Sequence, residues 1–504
     1  MNRMKLARAA LVVGLVWAVS ACDEGLTDVN QNPNQPTDVD ASLLLPNAIR
    51  QGVENYFGAG QFLSHTNIWP QHGVELQYPD EEIGNVRSDR MDIYWENYYA
   101  YPLMDMQTVI NKGVEDEDEC AAGDTECVAN ARNVQAVGMI WKAWLFHIVT
   151  DYWGDVPYSE ALGQVDGDGN LIRAPAYDSQ EAVYAGMLAD LTTAANMLLD
   201  PGPTDFGGGD LLYGNDFEAW RLFANSLRMR LAMRLSEVDP TTAEAEFAAA
   251  YAAGGFESNA DNAMLYWPGA PYENPLYEDR VVNARDDHGI SETMVDTLVS
   301  LNDPRLFYYA EPALNDGQYR GHQNGWLTLP PGMNLGDYSR IGDFWRFDGS
   351  ATPSMIMSYS EVLFLQAEAA WRGWIAGVSG DLYTEAIRAN MNQYDAQGVG
   401  PTDTEINDYL AQARVLPDGT LEQILLQKWI SLYMNGAEAW ADNRRTDVPA
   451  LAMGPDLIIS RIPVRMEYPA DEQSYNLDRL NEALARQGMA SGVDLVTPVW
   501  WDVN

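Results

Sequence analysis

Five segments of this sequence place apolar residues every three to four positions, the spacing that gathers them on one face of an α-helix. The first runs through Val134, Val137, Trp141, Trp144 and Ile148, and the second through Val183, Met187, Leu191 and Leu198. The third holds Phe217, Trp220, Phe223, Leu227 and Leu231. The fourth holds Ile356, Tyr359, Leu363, Ala367, Ala370 and Trp374, and the fifth Leu421, Leu425, Trp429 and Leu432. Punctuation agrees with period. Asp178 with Glu181 reads as a capping pair before the second helix, and Pro201-Gly202-Pro203 as its stop. The third helix starts near Asn215 or Asp216. Strand alternation is scarce, so the fold is predicted to be mainly α. At 504 residues the chain holds one large domain or two to three smaller ones, with ample length for a buried core.

Small residues sharpen this picture. Glu361 to Trp374 reads as a helix carrying Ala367, Ala369 and Ala370, Gly373 to Gly380 as a turn, and Asp381 to Asn392 as a second helix with Ala386. Such a helix–turn–helix with small residues at the crossing resembles a tetratricopeptide pair. No strict 34-residue period recurs, so any repeat is degenerate. Long loops are expected between the helices, at about 58–90, 255–290 and 310–352, rich in Trp, Tyr, Asn, Asp, Pro and Gly. Loops of this length are uncommon unless they carry function.

The amino terminus is an export address. Arg3, Lys5 and Arg8 precede a short apolar run, Ala9 to Val19, too short to span a membrane. Val19-Ser20-Ala21-Cys22 resembles a bacterial lipobox, which implies cleavage after residue 21 and lipid on Cys22. Residues 22–40 have no apolar period and read as a tether. Asp23-Glu24 resembles the acidic surface-export signal of lipoproteins in bacteria of the Bacteroidetes type. In an exported chain, Cys120 and Cys127 are expected to form a local disulfide, and no paired Cys or His nearby suggests zinc.

Charge excludes a class of partners. The formal net charge is −44, from 74 acids against 30 bases, so the basic footprint of a nucleic-acid binder is missing. Only four of the bases are lysines, Lys5, Lys112, Lys142 and Lys428. A Lys-poor, acid-rich surface fits either work in high salt, where repulsion is screened, or a very soluble extracellular protein.

An ordered set of motifs then resembles the SusD/RagB family of outer-membrane nutrient-binding lipoproteins, in its SusD-like branch. The set begins with Asp151-Tyr152-Trp153-Gly154-Asp155-Val156-Pro157-Tyr158-Ser159-Glu160-Ala161-Leu162 and Pro175-Ala176-Tyr177-Asp178. It continues through Tyr213-Gly214-Asn215-Asp216, Trp220 to Arg228, Asn302-Asp303-Pro304-Arg305, Glu361 to Gly373 and Gln427 to Trp440. It closes with Arg444-Arg445 and Arg465-Met466-Glu467-Tyr468-Pro469 followed by Glu472 and Asn476. Most of these residues read as structural. Gly154 and Pro157 shape a turn leaving a helix, and Asp151 and Asp155 accept backbone N–H bonds there. Arg221, Arg228, Arg230, Arg234, Arg444 and Arg445 anchor buried carboxylates, and Tyr468 and Asn476 tie the C-terminal segment to the core.

The resemblance implies a single helical domain over 41–504 and non-catalytic capture of an oligosaccharide, or else of a peptide or another nutrient. It further implies a lid on a SusC-type TonB-dependent barrel at the outer membrane, facing outward and held by lipid alone, with no cofactor. Sugars offer an apolar C–H face to an aromatic ring and hydroxyls to Asn, Asp or Arg. With 16 Trp and 26 Tyr, many in the long loops, the residues chosen as ligand contacts are Trp69, Tyr78, Trp267, Tyr272 and Trp326. Tyr266, Tyr277, Tyr319 and Trp345 share those loops. No nucleophile elbow, zinc helix, P-loop or dinucleotide fingerprint is present, which argues against an enzyme. Asp166-Gly167-Asp168-Gly169-Asn170 begins like a calcium loop, but Leu171 and Tyr177 break the pattern, leaving an acidic turn and no metal site.

Overall fold

A computed structural model describes residues 39–347 and 352–503. The signal segment 1–21, Cys22 and all of the tether except Val39 and Asp40 lie outside the described residues. Helix makes up 54% of the described residues and strand 6%. The helices of eight or more residues begin with α1 (Ala41–Phe57), α2 (Ser88–Tyr98), α3 (Met104–Glu119), α4 (Thr125–Trp153) and α5 (Gln180–Met197). They continue with α6 (Phe217–Arg234), α7 (Pro240–Ala253), α8 (Glu292–Leu301), α9 (Tyr359–Arg372) and α10 (Ser379–Met391). The last four are α11 (Asp403–Leu410), α12 (Leu421–Ser431), α13 (Gly436–Thr446) and α14 (Leu477–Gln487).

Side-chain caps fix most starts. Asp40 caps α1, Asp124 α4, Asp216 α6 and Thr420 α12, each accepting from an amide of the first turn. Two expectations shift. The cap of α5 is Ser179, whose hydroxyl accepts from Ala182 N, while the Asp178 carboxylate accepts from the amides of Tyr158 and Ser159 instead. Ile356 belongs to a strand, and α9 starts three residues later behind Ser358. The run Ser354–Met357 is buried throughout, and a short apolar run of that kind carries no period to separate strand from helix.

Successive helices pack on one another: α3 on α4, α4 on α5, α5 on α6, α6 on α7, and α9 on α10. At the last crossing Ala367 and Ala386 are fully buried. There Ser360 Oγ donates to the Ala386 carbonyl and Ser379 Oγ to that of Ala367. The pair anticipated at 361–392 is thus one of a series, and the fold is mainly α with tetratricopeptide-like helix pairs.

Buried ion pairs lock the series together. Arg230 on α6 meets Glu361 on α9 at 2.6 Å, and Arg234 meets Glu438 on α13 at 2.6 Å and Asp151 on α4 at 3.4 Å. Arg445 on α13 holds Glu368 on α9 at 2.7 Å and Asp442 at 2.8 Å, and Lys428 on α12 reaches the same Asp442 at 3.0 Å. Nearer the surface, Arg228 pairs with Glu246 and Arg221 with Glu218. Arg444 departs from the expectation, because its partners are carbonyls: Nη1 donates to those of Asp151 and Val464.

The Asp151–Leu162 motif is a junction. Gly154, at φ +82°, ends α4, and a Cβ there would lie 2.2 Å from Gln487 Oε1 of α14. Asp155 accepts from Gln180 N at 2.9 Å and from Arg486 at 2.6 Å. Tyr468 donates to the Asp155 carbonyl and Asn476 to that of Pro175, so the C-terminal motif closes on the first. Cys120 and Cys127 are joined by a disulfide. The Asp166 carboxylate accepts from the amides of Asp168 and Asn170. Among the described residues no helix is long and apolar enough to cross a membrane.

Candidate functional site

The three long loops do not remain loops. Strand β1 (Gly73–Glu75) comes from the first. Short strands β2 (Val156–Pro157) and β3 (Tyr177–Asp178) brace the junction, and β4 (Ala263–Leu265) and β5 (His288–Ile290) come from the second loop. Strands β6 (Ala310–Glu311) and β7 (Arg340–Ile341) come from the third, and β8 is the Ser354–Met357 run already met. Antiparallel pairing in the order β1-β5-β7-β6 draws all three loops into one small sheet. A fourth segment, 447–463, has no regular structure and joins them: Gln71 donates to the Ala452 carbonyl, Ile458 N to that of Ile83, and Leu327 N to Asp456.

The five aromatics chosen from sequence are scattered over this cap. Trp69 is 2% exposed, with its ring on Trp440 at 4.7 Å and its indole N–H on the Glu81 carbonyl. Trp267 is 3% exposed and donates to Ser354 Oγ. Both rings are largely packed against protein, Trp267 in the core and Trp69 against Trp440 at the base of a groove. Tyr78, 69% exposed, stands just after β1. Exposed Tyr272 lies under the Arg50 guanidinium of α1, 4.7 Å from the ring centroid. Trp326 is half-buried and donates to Gln323.

What sugar capture needs is assembled elsewhere on the second loop. Tyr266 is 53% exposed, and its hydroxyl accepts from Gln397 Nε2 at 3.1 Å, which fixes the ring. The position of the pair just after a strand explains why Trp267 is buried and Tyr266 is not. Past β4, neighbouring side chains point to opposite faces, so Trp267 turns into the core and Tyr266 out to solvent. Beside Tyr266 is a hollow of about 490 Å³, within the range of small-ligand pockets. Its other polar walls are Tyr213, the carboxamides of Asn259, Asn262, Asn392, Gln393 and Gln397, and one carboxylate, that of exposed Asp395.

Two of these amides build the hollow and two face it free. Asn262 Oδ1 accepts from Tyr359 N at the start of α9, and Asn259 Nδ2 donates to the Ala389 carbonyl in α10. The second loop is thereby pinned across the helix pair. The carboxamides of Asn392 and Gln393, just past α10, have no hydrogen-bond partner among the described residues, although Gln393 is only 6% exposed. A buried amide without a partner costs about 1–3 kcal/mol, which a hydroxyl-bearing ligand in the hollow removes. An aromatic face beside several carboxamides and a single carboxylate, Asp395, matches a neutral polyol ring better than an anion. Sequence reasoning named Tyr266 but not the amides. The only signal for them was Asn392-Gln393 at the end of a helical stripe, where polar residues are ordinary.

The comparisons with known proteins agree with this architecture. Residues 33–469 match the SusD-like family described as starch-binding, associating with outer membrane. Among solved structures, a chitin-binding protein is 29% identical with a TM-score of 0.80, covering 92% of this chain and 100% of that one. A Bacteroidetes SusD-like protein, AC2a, is 26% identical with a TM-score of 0.79 and the same coverage. A chitin-binding SusD homologue from Flavobacterium johnsoniae, 24% identical at a TM-score of 0.70, covers 91% of this chain and 99% of its own and shares the fold. No curated protein matches the chain by sequence. With an ordered motif set, a helix-pair scaffold and a family match over most of its length, this chain belongs to the SusD-like family of starch-binding, outer-membrane-associated proteins.

Proposed function

We propose that this protein captures an uncharged oligosaccharide in the Tyr266 hollow, without chemical change, and passes it to a SusC-type TonB-dependent transporter. In this reading residues 41–504 act as one body, tethered by residues 22–40 to a lipid on Cys22 at the outer face of the outer membrane. The observation that carries the reading is the hollow itself: an open, oriented tyrosine ring sharing its walls with two amides, Asn392 and Gln393, that make no side-chain hydrogen bond among the described residues. The chitin-binding relative, at 29% identity over nearly the whole chain, supports a glycan as the ligand class.

The test is calorimetry on the full chain in detergent, titrated with neutral maltose- and chitin-type oligosaccharides. One of these series is expected to bind saturably. Tyr266→Ala and Gln393→Leu should each weaken binding at least tenfold with little change in melting temperature, since one ring is exposed and the other side chain makes no hydrogen bond. Binding that survives both substitutions, or the absence of binding by every neutral oligosaccharide, would refute the assignment.

A further inference from the structure

A second groove, of about 320 Å³, lies between α13 and the irregular segment 447–463, with Trp69 and Trp440 at its base. Apolar Pro449, Met453 and Ile462 form much of its walls. Its polar lining is Asn443, Asp447 and two guanidiniums, those of Arg444 and Arg461. In a chain with 74 acids against 30 bases, a guanidinium's default partner is a carboxylate. Elsewhere in the core that default holds: Arg230, Arg305 and Arg445 each have one within 2.7 Å. Neither Arg444 nor Arg461 forms a direct ion pair among the described residues, although the buried carboxylates of Asp151 and Asp502 act on Arg444 electrostatically.

Arg444 is held rigidly. Its guanidinium lies over Trp440 at 3.7 Å and over Trp501 at 4.6 Å, and Nη1 donates to two carbonyls. Its other terminal nitrogen, Nη2, has no hydrogen-bond partner, although the residue is 3% exposed. Burial lowers its pKa to about 10, so it remains a cation at neutral pH. Arg461 is half-buried and makes no hydrogen bond or ion pair among the described residues. The one acid on the groove, Asp447, is exposed at its rim and pairs with neither.

We infer that this groove is a second binding site, for a carboxylate-bearing sugar of the hexuronic acid class. Two guanidiniums on one groove supply charge-assisted, planar donors matched to a carboxylate. The apolar walls receive the C–H face of the ring. The volume stands at the lower end of small-ligand pockets and suits one six-membered ring rather than a peptide chain. The groove shares no residue with the Tyr266 hollow, and its two guanidiniums select a different sugar unit. The inference therefore stands whether or not neutral glycans bind there.

The experiment is calorimetry on the full chain in detergent with trigalacturonate, with maltotriose and N-acetyl-leucine as the neutral and peptide-terminus controls. Trigalacturonate is expected to bind. Arg461→Gln should weaken it at least tenfold, and Arg461→Lys should retain part of the affinity, both without a change in melting temperature. Arg461→Gln should leave neutral-oligosaccharide binding untouched, whereas Tyr266→Ala should leave trigalacturonate binding untouched. No uronate binding by the unaltered protein, equal binding by Arg461→Gln, or tighter binding of N-acetyl-leucine than of trigalacturonate would each overturn the inference.

Discussion

His72 shows how strongly the core controls a single group. Its Nε2–H donates to the Trp429 carbonyl at 2.9 Å, the ring packs against Trp429 and Tyr433, and Nδ1 is buried without a partner. Burial lowers its pKa to about 3, against which the carbonyl contact is a smaller, opposing effect. The sign follows. An unfolded histidine takes up a proton near pH 6.5 and the folded one does not, so stability present above pH 6.5 is lost as pH falls toward 3. By pH 5 that loss is about 2 kcal/mol for this ring. His72→Gln keeps a donor for the Trp429 carbonyl but does not titrate. Denaturant unfolding at pH 7 and pH 5 should therefore show the variant losing about 2 kcal/mol less than the parent between the two. An equal loss, or a His72 ring resonance that titrates near pH 6.5, would show that the ring is reached by water.

The same logic of termination and alternation decides which elements were legible. Helix α9 ends at Gly373, at φ +81°, and its N–H closes on the carbonyls of Ala369 and Ala370. Nothing lies within 4 Å of a Cβ built there, so Gly373→Ala adds backbone strain alone. It should destabilise the protein by about 1–2 kcal/mol in urea titrations, and Gly373→Asn by less, because asparagine tolerates the left-handed region. Equal stabilities would mean that the helix does not stop there. Helices of this kind were readable because period, cap and stop agree along a dozen or more residues, as for α4, α6 and α12. Ile356 was not, since four buried residues carry no period. Trp267 was chosen ahead of its neighbour Tyr266, but the phase of β4, a strand only three residues long, buries the first and exposes the second. The segment 447–463 has neither helical period nor a Trp or Tyr to mark it. It becomes a groove wall only through contacts such as Gly454 against Gly325, far apart in sequence.

For the whole molecule, charge divides into two populations that salt treats differently. The pairs Arg230–Glu361 and Arg445–Glu368 have side chains at most 1% exposed, where counter-ions do not reach. The rest of the excess behind a net charge of −44 lies largely on the surface, where like charges repel over the Debye length. That length falls from about 30 Å at 0.01 M salt to about 3 Å at 1 M. Raising KCl across this range should therefore raise the melting temperature, by an amount on the order of 5 °C. Glu361→Gln strips Arg230 of its closest carboxylate in the core and should cost about 3–5 kcal/mol. That deficit should be the same at both ends of the salt range, because the pair is buried. The combination is discriminating. A melting temperature that stays level or falls with KCl means that surface repulsion is already relieved, and the acid excess then serves solubility rather than life in salt. A Glu361→Gln deficit that shrinks in salt means that water and ions reach the ion-pair network, and that the helix pairs are packed less tightly around it than the structure shows.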